Sequence, residues 1–259
     1  MPTRQERLQR GEAVRQQLQH GSHGSTGGAV TGNVPGLRQL STEAVFGAVW
    51  GRPGLDLRYR MIATLSVLSA LQRLPQLRTY IHSALHIGIE PCAIQEVCIQ
   101  CGIYAGFPTM VNALALAQEV FHERGIVVPE ATLAERSLEA LTAQGRAIRQ
   151  ELQGVHGQQG YTAPGALGAD LFQLALQYGY GEIWQRPGLD RKSRMVCSVA
   201  AFTALWCEPQ LRGFLPAALN VGFSREEVIE IIMQTAPYGG FPRALNAVAL
   251  AQDILGQES

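Results

Sequence analysis

The stretch RPGLD at residues 52–56 occurs again, unchanged, at residues 186–190. The similarity extends outward from it without a gap: between 47–118 and 181–252, 30 of 72 positions are identical, at a constant offset of 134 residues. A repeat of this length is far longer than a solenoid unit and has the size of a small domain. We therefore predict two tandem domains, residues 1–128 and 129–259, joined by a linker near 125–129.

Composition excludes several classes of partner. The chain has 259 residues, of which 46% are hydrophobic, and 21 basic residues balance 21 acidic ones. A net charge of zero provides no electrostatic footprint for nucleic acid or an anionic membrane, and we predict neither as a partner. The longest apolar run, 197–207, is too short to span a bilayer.

The N-terminus and the cysteines indicate the compartment. The first residues are polar and do not resemble a signal peptide, and the five cysteines are an odd number. These features are typical of a reducing environment without a disulfide framework. We predict a cytoplasmic location.

Helical patterns dominate both copies, and no useful stretch alternates as a strand would, so we predict an all-α fold. The helices at 57–72 and 191–206 are apolar nearly all round, which is typical of a buried central helix. A shorter helix ends at Trp50 or Trp184 before each RPGLD turn. The remaining predicted helices are 6–18, 76–87, 91–104 and 108–123 in the first copy, and 133–152, 210–221, 225–237 and 242–255 in the second.

Residues that start and stop helices support these boundaries. Asp56 and Asp190 are suited to N-cap positions, and Ser224 with Glu227 forms a capping-box pattern. The other end signals are Pro91 at a first helical position and Gly88 and Gly222 just past a helix end. Glycine-rich segments at 21–36 and 154–169 lie inside each repeat, so we interpret them as loops and as candidate lids over a pocket.

Three strings recur in both copies: W-x-R-P-G-L-D, then L-R-x-x-x-x-x-A-L-x-x-G, then E-x-x-x-Q-x-x-x-Y-x-G-F-P. Together they resemble the carboxymuconolactone decarboxylase family, within the alkylhydroperoxidase-D-like superfamily. The resemblance covers both halves and is somewhat closer in the second copy. It implies a tandem duplication of a compact helical domain that assembles into rings.

The resemblance also implies a reaction. The founding enzymes are homohexamers that decarboxylate 4-carboxymuconolactone in aromatic-acid breakdown. They need no cofactor, because the unsaturated lactone accepts the electrons left by the departing CO2 and a proton is then delivered. We therefore expect a cofactor-independent decarboxylase-like enzyme for a small carboxylated substrate. Since two domains are fused here, three chains would complete the same ring, and we predict a homotrimer.

Family resemblance makes His82 the candidate general acid, because an imidazole donates protons well near neutral pH. Its equivalent in the second copy is Pro216. Glu182 occupies a family acidic position that is Ala48 in the first copy. We hypothesise a composite site in which His82 and Glu182 meet between halves or chains, the alternative being independent change at two surface positions.

Glutamates and arginines retained in both copies are further candidates. Glu96 and Glu230 each precede a glutamine by four residues, which places both side chains on one helical face, lining a pocket or capping a helix. Arginine binds carboxylates through bidentate hydrogen bonds, although helix-terminal salt bridges would explain the same residues. The candidate substrate-binding residues are Arg52, Arg60, Arg78, Arg186, Arg194 and Tyr104.

Two further chemistries remain as alternatives. Cys98 and Cys101 form a C-x-x-C pattern, which suggests a thiol-dependent peroxidase or disulfide reductase, although the histidine of that branch does not follow them. His82 and His86 are spaced for a metal on one helix, but no acidic residue stands beside them, and we predict no metal site. A non-catalytic helical oligomer is the remaining alternative.

Overall fold

The computed structural model describes residues 3–18, 34–129, 134–154 and 167–256. Within these ranges the chain is helical and has no β-strand, which confirms the predicted all-α fold. Most of the two glycine-rich segments lies outside the described residues, and so does the prediction that they act as lids. No helix among the described residues is long and apolar enough to cross a bilayer.

Each repeat contributes six helical elements to the described part of the chain, and the elements follow one another in the same order. The second element of each repeat opens as an α-helix and continues as a π-helix up to the RPGLD turn. In repeat 1 the elements are α1 (Arg4–Leu18), α2 (Leu37–Ser41 continuing as Thr42–Trp50), α3 (Leu57–Ala70), α4 (Leu74–His86), α5 (Pro91–Ala105) and α6 (Phe107–Glu123). In repeat 2 they are α7 (Leu138–Gln153), α8 (Ala169–Leu174 continuing as Ala175–Glu182 and the 3-10 turn Ile183–Gln185), α9 (Arg191–Leu205), α10 (Glu208–Asn220), α11 (Arg225–Gly239) and α12 (Phe241–Leu255).

The predicted helix ends are confirmed where a side chain caps the helix. Asp56 accepts the backbone N–H of Arg58, and Asp190 accepts that of Ser193, both at 2.8 Å. Ser224 and Glu227 form the complete capping box. In repeat 2 the prediction of a helix from residue 133 was wrong: α7 begins at Leu138, because Ser137 caps it by accepting the backbone N–H of Ala140.

The hydrophobic core is one continuous cluster that spans both repeats. The central helices α3 and α9 pack against each other, and both are buried along almost their whole length, as their apolar sequences predict. Helix α5 of repeat 1 packs on both of them, and so does α11 of repeat 2. The two repeats therefore interlock through four shared helices.

Glycines allow the first two helices of each repeat to cross closely. A Cβ atom at Gly47 would overlap the carbonyl of Arg7, and one at Gly181 would overlap the carbonyl of Leu141. Repeat 2 thus uses the same backbone contact as repeat 1. This close crossing holds α1 against α2, and α7 against α8, beside the RPGLD turns.

The crossing yields a test with a control in the same helix. Gly181→Ala should destabilise the protein by about 1–3 kcal/mol, because the added methyl group must push two backbones apart. Gly179 has nothing within 4 Å of its Cβ position, so Gly179→Ala should be neutral or stabilise by up to about 1 kcal/mol. Urea unfolding measures both, and equal stabilities of the two variants would contradict the close crossing.

Candidate active site

Two arginine–glutamate networks join the repeats, and in each one the arginines and the glutamate come from opposite halves of the chain. In the first, Glu230 on α11 accepts hydrogen bonds from Arg52 Nε at 2.7 Å and from Arg60 Nη2 at 2.8 Å. Arg60 also donates to Gln234 Oε1 at 3.2 Å and to the backbone carbonyl of Arg52 at 2.9 Å. One carboxylate of repeat 2 therefore fixes both the turn and the start of α3 in repeat 1.

The second network repeats this arrangement with the roles of the halves exchanged. Glu96 on α5 accepts hydrogen bonds from Arg186 Nε and from Arg194 Nη2, both at 2.9 Å. Arg194 also donates to Gln100 Oε1 at 2.9 Å and to the backbone carbonyl of Arg186 at 2.7 Å. The glutamate and glutamine that the sequence places on one helical face thus bind a guanidinium of the other repeat.

The RPGLD turn supplies an arginine to each network, and its glycine allows the backbone to pass close to the glutamate. A Cβ atom at Gly54 would lie 2.9 Å from Cγ of Glu230, and one at Gly188 would lie 3.4 Å from Cγ of Glu96. Gly188 also has a positive φ of 91°, which favours glycine. The glycine therefore lets the turn approach the carboxylate that its own arginine binds.

Burial differs sharply between the two arginines of a network. The side chains of Arg60 and Arg194 are 1% and 0% exposed, whereas those of Arg52 and Arg186 are 41% and 22% exposed. Burial acts to raise the pKa of Glu230, but the hydrogen bonds from Arg52 and Arg60 outweigh it, so the pKa of Glu230 lies below its ordinary value. The first network thus holds an ionised carboxylate, and its outer arginine reaches solvent.

Aromatic residues beside the networks differ between the repeats. Tyr238 accepts a hydrogen bond from Trp50 Nε1 at 2.7 Å and lies 2.5 Å, oxygen to oxygen, from Tyr80. Tyr104, its equivalent in repeat 1, is instead within 2.6 Å of Ser198 Oγ and accepts from Gln100. Burial raises the pKa of both tyrosines, that of Tyr238 to about 12. Tyr104 is therefore a neutral phenol, half-buried against the core, and its role in substrate binding stays a prediction.

A cleft opens beside the first network, between α1 and the end of α2. Its volume is about 310 Å³, and three of its lining residues are arginines. Trp50 forms an aromatic wall. The lining residues are Arg10, Ala13, Val14, Gln17, Trp50, Gly51, Arg52, Leu55, Leu57 and Arg60. A concave site with an apolar wall and a few charged groups is suited to a small anionic molecule.

His82 is half of an ion pair on another face of repeat 1. Its Nε2 lies 3.4 Å from Glu123 Oε2 on α6, and it is not among the cleft-lining residues. Arg78, one turn earlier on α4, pairs with Glu119 at 2.8 Å and also with Glu123. The structure therefore places Arg78 in a surface ion-pair cluster. The roles of His82 as an acid and Arg78 as a substrate ligand stay predictions.

Glu182 ends the π-helix of α8 and is partly exposed. No ion pair of 4 Å or less joins it to His82, whose paired carboxylate is that of Glu123. The composite His82–Glu182 site stays a prediction. Among the described residues, no three His, Cys, Asp or Glu side chains are grouped as a metal site would require.

The C-x-x-C pair lies in the core between α5 and α9. Cys98 and Cys101 are each 1% exposed, and Cys197 of repeat 2 adjoins them. Burial raises the pKa of Cys98 to about 12, while a hydrogen bond with Cys197 and burial raise the pKa of Cys101 well above its ordinary value. Both are therefore protonated thiols at neutral pH, without the thiolate that redox catalysis needs.

Sequence reasoning missed two features of this region. Arg10 was not singled out, although it places a third guanidinium at the cleft. The exchange of glutamates between repeats was also missed, since the paired residues are 170 or more positions apart in the first network. The same residue types occur in both copies at the positions of Arg52, Arg60 and Glu230. This was the available signal: it indicated a shared role, but it did not show which glutamate each arginine binds.

The fold and the site together define a class: an all-helical protein of two interlocked repeats that exchange buried glutamates between paired arginines. The family model described as the carboxymuconolactone decarboxylase family matches residues 35–119 and 169–253, and the chain belongs to this family. One match lies within each repeat, and together they confirm the resemblance seen in the sequence.

Three relatives show how far the similarity reaches. The 4-carboxymuconolactone decarboxylase of Acinetobacter baylyi is 37% identical over 90 residues, covering 35% of this chain and 67% of that protein. An uncharacterized protein of Paracoccus denitrificans is 34% identical over 85 residues, covering 32% and 63%. The nitrosuccinic acid decarboxylase of Metarhizium robertsii is 29% identical over 86 residues, covering 33% and 60%. This chain thus spans about two thirds of the length of these relatives.

Removing one carboxylate measures how much a network contributes to the free energy of unfolding. Glu230→Ala leaves the buried guanidinium of Arg60 without its counter-charge, so we expect a loss of about 3–5 kcal/mol in the free energy of unfolding at pH 7. Glu119→Ala removes the exposed partner of Arg78 and should cost less than about 1 kcal/mol. Urea unfolding of the two variants gives both values.

Urea unfolding at several pH values separates the contribution of the Glu230 charge from that of its packing. A carboxyl whose pKa is lowered by folding stabilises the protein above its unfolded pKa, about 4.3, and this contribution is lost as the pH falls through the folded pKa. The stability gap between wild type and Glu230→Ala should therefore narrow below about pH 4. A gap independent of pH would mean that packing, rather than charge, carries the effect.

Proposed function

We propose that this protein is a decarboxylase-type enzyme that acts without a cofactor on a small carboxylated lactone, or a related dicarboxylic acid, in aromatic-acid catabolism. Family membership and two relatives named as decarboxylases support the reaction class. The two substrates in those names, 4-carboxymuconolactone and nitrosuccinic acid, share two carboxylates and a group that can accept electrons. We infer a substrate of the same chemical kind.

The cleft beside the first network is the observation that carries this proposal. Arg10, Arg52 and Arg60 bring three guanidiniums to it, and Glu230, which pairs with both Arg52 and Arg60, supplies one negative charge against them. Arg52 uses Nε and Nη2 on Glu230, which leaves its Nη1 group for a ligand. Arg10 forms no ion pair with any described residue. The cleft thus has a net positive charge directed at a small anion.

The chemistry assigns different tasks to the two carboxylates of the substrate. One carboxylate leaves as CO2, and the electron pair of the broken C–C bond moves into the conjugated lactone to give a dienolate. A guanidinium that held the leaving carboxylate would oppose its loss of charge. We therefore infer that Arg10 and Arg52 hold the carboxylate that stays, or the oxygen on which negative charge develops.

Protonation of the dienolate completes the reaction and requires one general acid. We retain His82 in this role on the basis of the family resemblance. Its imidazole Nε2 lies 3.4 Å from Glu123 Oε2. Because His82 does not line the cleft, the assignment depends directly on the kinetic test.

The test measures CO2 release and loss of lactone absorbance with 4-carboxymuconolactone. Arg10→Gln installs the residue that repeat 2 carries at the same position and should lower kcat/KM by about 10–100-fold, mainly through KM, because one charge-assisted hydrogen bond is lost. His82→Ala should lower kcat by about 10²–10⁴-fold, as expected for loss of a general acid.

Arg212→Gln is the matched control, since it removes an exposed arginine whose partners, Glu208 and Asp253, lie on the surface. It should leave both constants unchanged. A kcat/KM unchanged by Arg10→Gln would remove the cleft from the mechanism, and a kcat unchanged by His82→Ala would remove the histidine. No turnover by wild type would overturn the proposed substrate.

Thiol redox chemistry is the weaker alternative on physical grounds. Cys98 and Cys101 are buried thiols with raised pKa values, whereas redox cysteines need an accessible thiolate. The cleft offers no thiol among its lining residues. We therefore favour the decarboxylase proposal.

Matching apolar surfaces on the two repeats support the proposed homotrimer. Phe107 and Val111 on α6 are each 61% exposed, and their equivalents on α12, Phe241 and Leu245, are 61% and 64% exposed. Large apolar side chains exposed at equivalent places indicate equivalent contacts between chains.

Light scattering in solution tests the assembly. We expect a mass of three chains for wild type, and dissociation in the double variant Val111→Lys/Leu245→Lys, because charges at both equivalent surfaces must be desolvated on assembly. Lys192→Ala, a change outside these surfaces, should leave the trimer intact. A wild-type mass of one chain, 28.1 kDa, would overturn the proposal.

A further inference from the structure

The duplication places a second, equivalent region beside the second network, with different residues lining it. The offset of 134 residues relates the cleft of repeat 1 to the space between α7 and the end of α8. Trp184, Arg186 and Arg194 are retained there. Five lining positions differ. Val14 corresponds to Ile148, a conservative change, whereas Arg10, Gln17, Gly51 and Leu57 of repeat 1 correspond to Gln144, Glu151, Gln185 and Arg191 of repeat 2.

In repeat 2 an ion pair crosses this region. Arg191 Nε lies 3.0 Å from Glu151 Oε1 on α7, and Arg191 Nη1 donates to the backbone carbonyl of Trp184. The Arg191 side chain therefore connects the start of α9 with α7 and with the end of α8. These are the equivalents of the walls that enclose the cleft in repeat 1, where Leu57 and Gln17 cannot form such a bridge.

The charged residues also differ between the two regions, and the difference makes the region of repeat 2 less favourable for an anion. Repeat 1 has Arg10 at the mouth of its cleft, and repeat 2 has the neutral Gln144. Repeat 2 also adds the carboxylate of Glu151, which neutralises Arg191, so this pair contributes no net positive charge to attract an anion. The retained arginines beside it, Arg186 and Arg194, are already bound to Glu96.

Gly51 and Arg10 differ between the repeats as a pair. A Cβ atom at Gly51 would overlap the side chain of Arg10, so Arg10 lies over the glycine and its position depends on the absence of a side chain there. Repeat 2 has Gln185 at the equivalent of Gly51 and has lost the arginine. The substitutions at these two positions are therefore physically linked.

We propose that each chain has a single carboxylate-binding site, the cleft of repeat 1, and that the Glu151–Arg191 ion pair closes the equivalent region of repeat 2. The inference rests on the proposed function, because it takes the ligand to be a carboxylate of the substrate class. It goes beyond that function by assigning one ligand per chain and naming the residues that close the second region. A trimer would then bind three ligands in a ring of six repeats.

Isothermal titration calorimetry with homocitric acid lactone tests the stoichiometry. This compound is the saturated counterpart of 4-carboxymuconolactone, and without the ring double bond it cannot accept the electrons of decarboxylation, so it binds without reacting. Wild type should bind one molecule per chain. The variant Gln144→Arg/Glu151→Gln/Gln185→Gly/Arg191→Leu gives repeat 2 the lining residues of repeat 1, apart from Ile148 in place of Val14, and should bind two.

The reciprocal variant Gln17→Glu/Leu57→Arg gives repeat 1 the closing pair and should lose detectable binding, at least about a 100-fold rise in Kd. Circular dichroism and unfolding curves matched to wild type establish that both variants are folded. The positions changed in both variants are exposed or half-buried. A crystal structure of the opened variant with the lactone provides a second measurement.

The outcomes separate this inference from the proposed function. Two molecules bound per wild-type chain, or one molecule bound per chain of the opened variant, would overturn the single-site inference and leave decarboxylation by the wild-type enzyme standing. No binding by wild type would overturn the cleft as a carboxylate site, and the single-site inference would fail with it. Turnover of 4-carboxymuconolactone is measured separately and decides the reaction itself.

Discussion

A carboxylate buried between two guanidiniums of the other repeat is the interaction on which the structure depends. Glu230 and Glu96 are each bound by one fully buried and one partly exposed arginine. Charges of this kind tolerate burial only with their partners in place, and separating them leaves an uncompensated ion in the core. The repeats therefore cannot slide or rotate against each other without breaking both networks. The apolar packing of α3 and α9 supplies the bulk of the contact, and the networks fix its register.

The same interaction prepares the wall of the cleft. Arg52 is held by Glu230, and Trp50 is held by its hydrogen bond to Tyr238, so both residues are positioned from the opposite repeat before any ligand arrives. Preorganised groups of this kind bind an anion without a further ordering cost. Arg10, on an exposed face of α1, is the one cationic lining residue not fixed by the network. The cleft thus combines a rigid wall with one adaptable side chain.

Local chemistry in the sequence was sufficient to predict the helices, because their ends are set by neighbouring residues. Asp56, Asp190 and Ser224 cap the helices that follow them, as expected. The partners of Arg60 and Arg194 were not predictable in this way, since those contacts join residues 170 and 98 positions apart. The internal repeat marked these arginines as shared, but identical residues in both copies do not reveal whether a bond forms within a repeat or between repeats. Likewise, Arg191 differs visibly from Leu57 in the sequence, and only geometry shows that it reaches Glu151.

The exchange of glutamates between repeats also bears on how such a chain acquires asymmetry. A single repeat that paired with its own copy about a twofold axis would form both networks at once, and every mutation in it would appear at both sites. Joining the two copies in one polypeptide removes this coupling, because a substitution now alters one half only. Both halves keep their network because each network stabilises the shared core. The residues around the networks can differ between the halves. Fusion therefore allows one half to specialise in chemistry while the other retains its architecture.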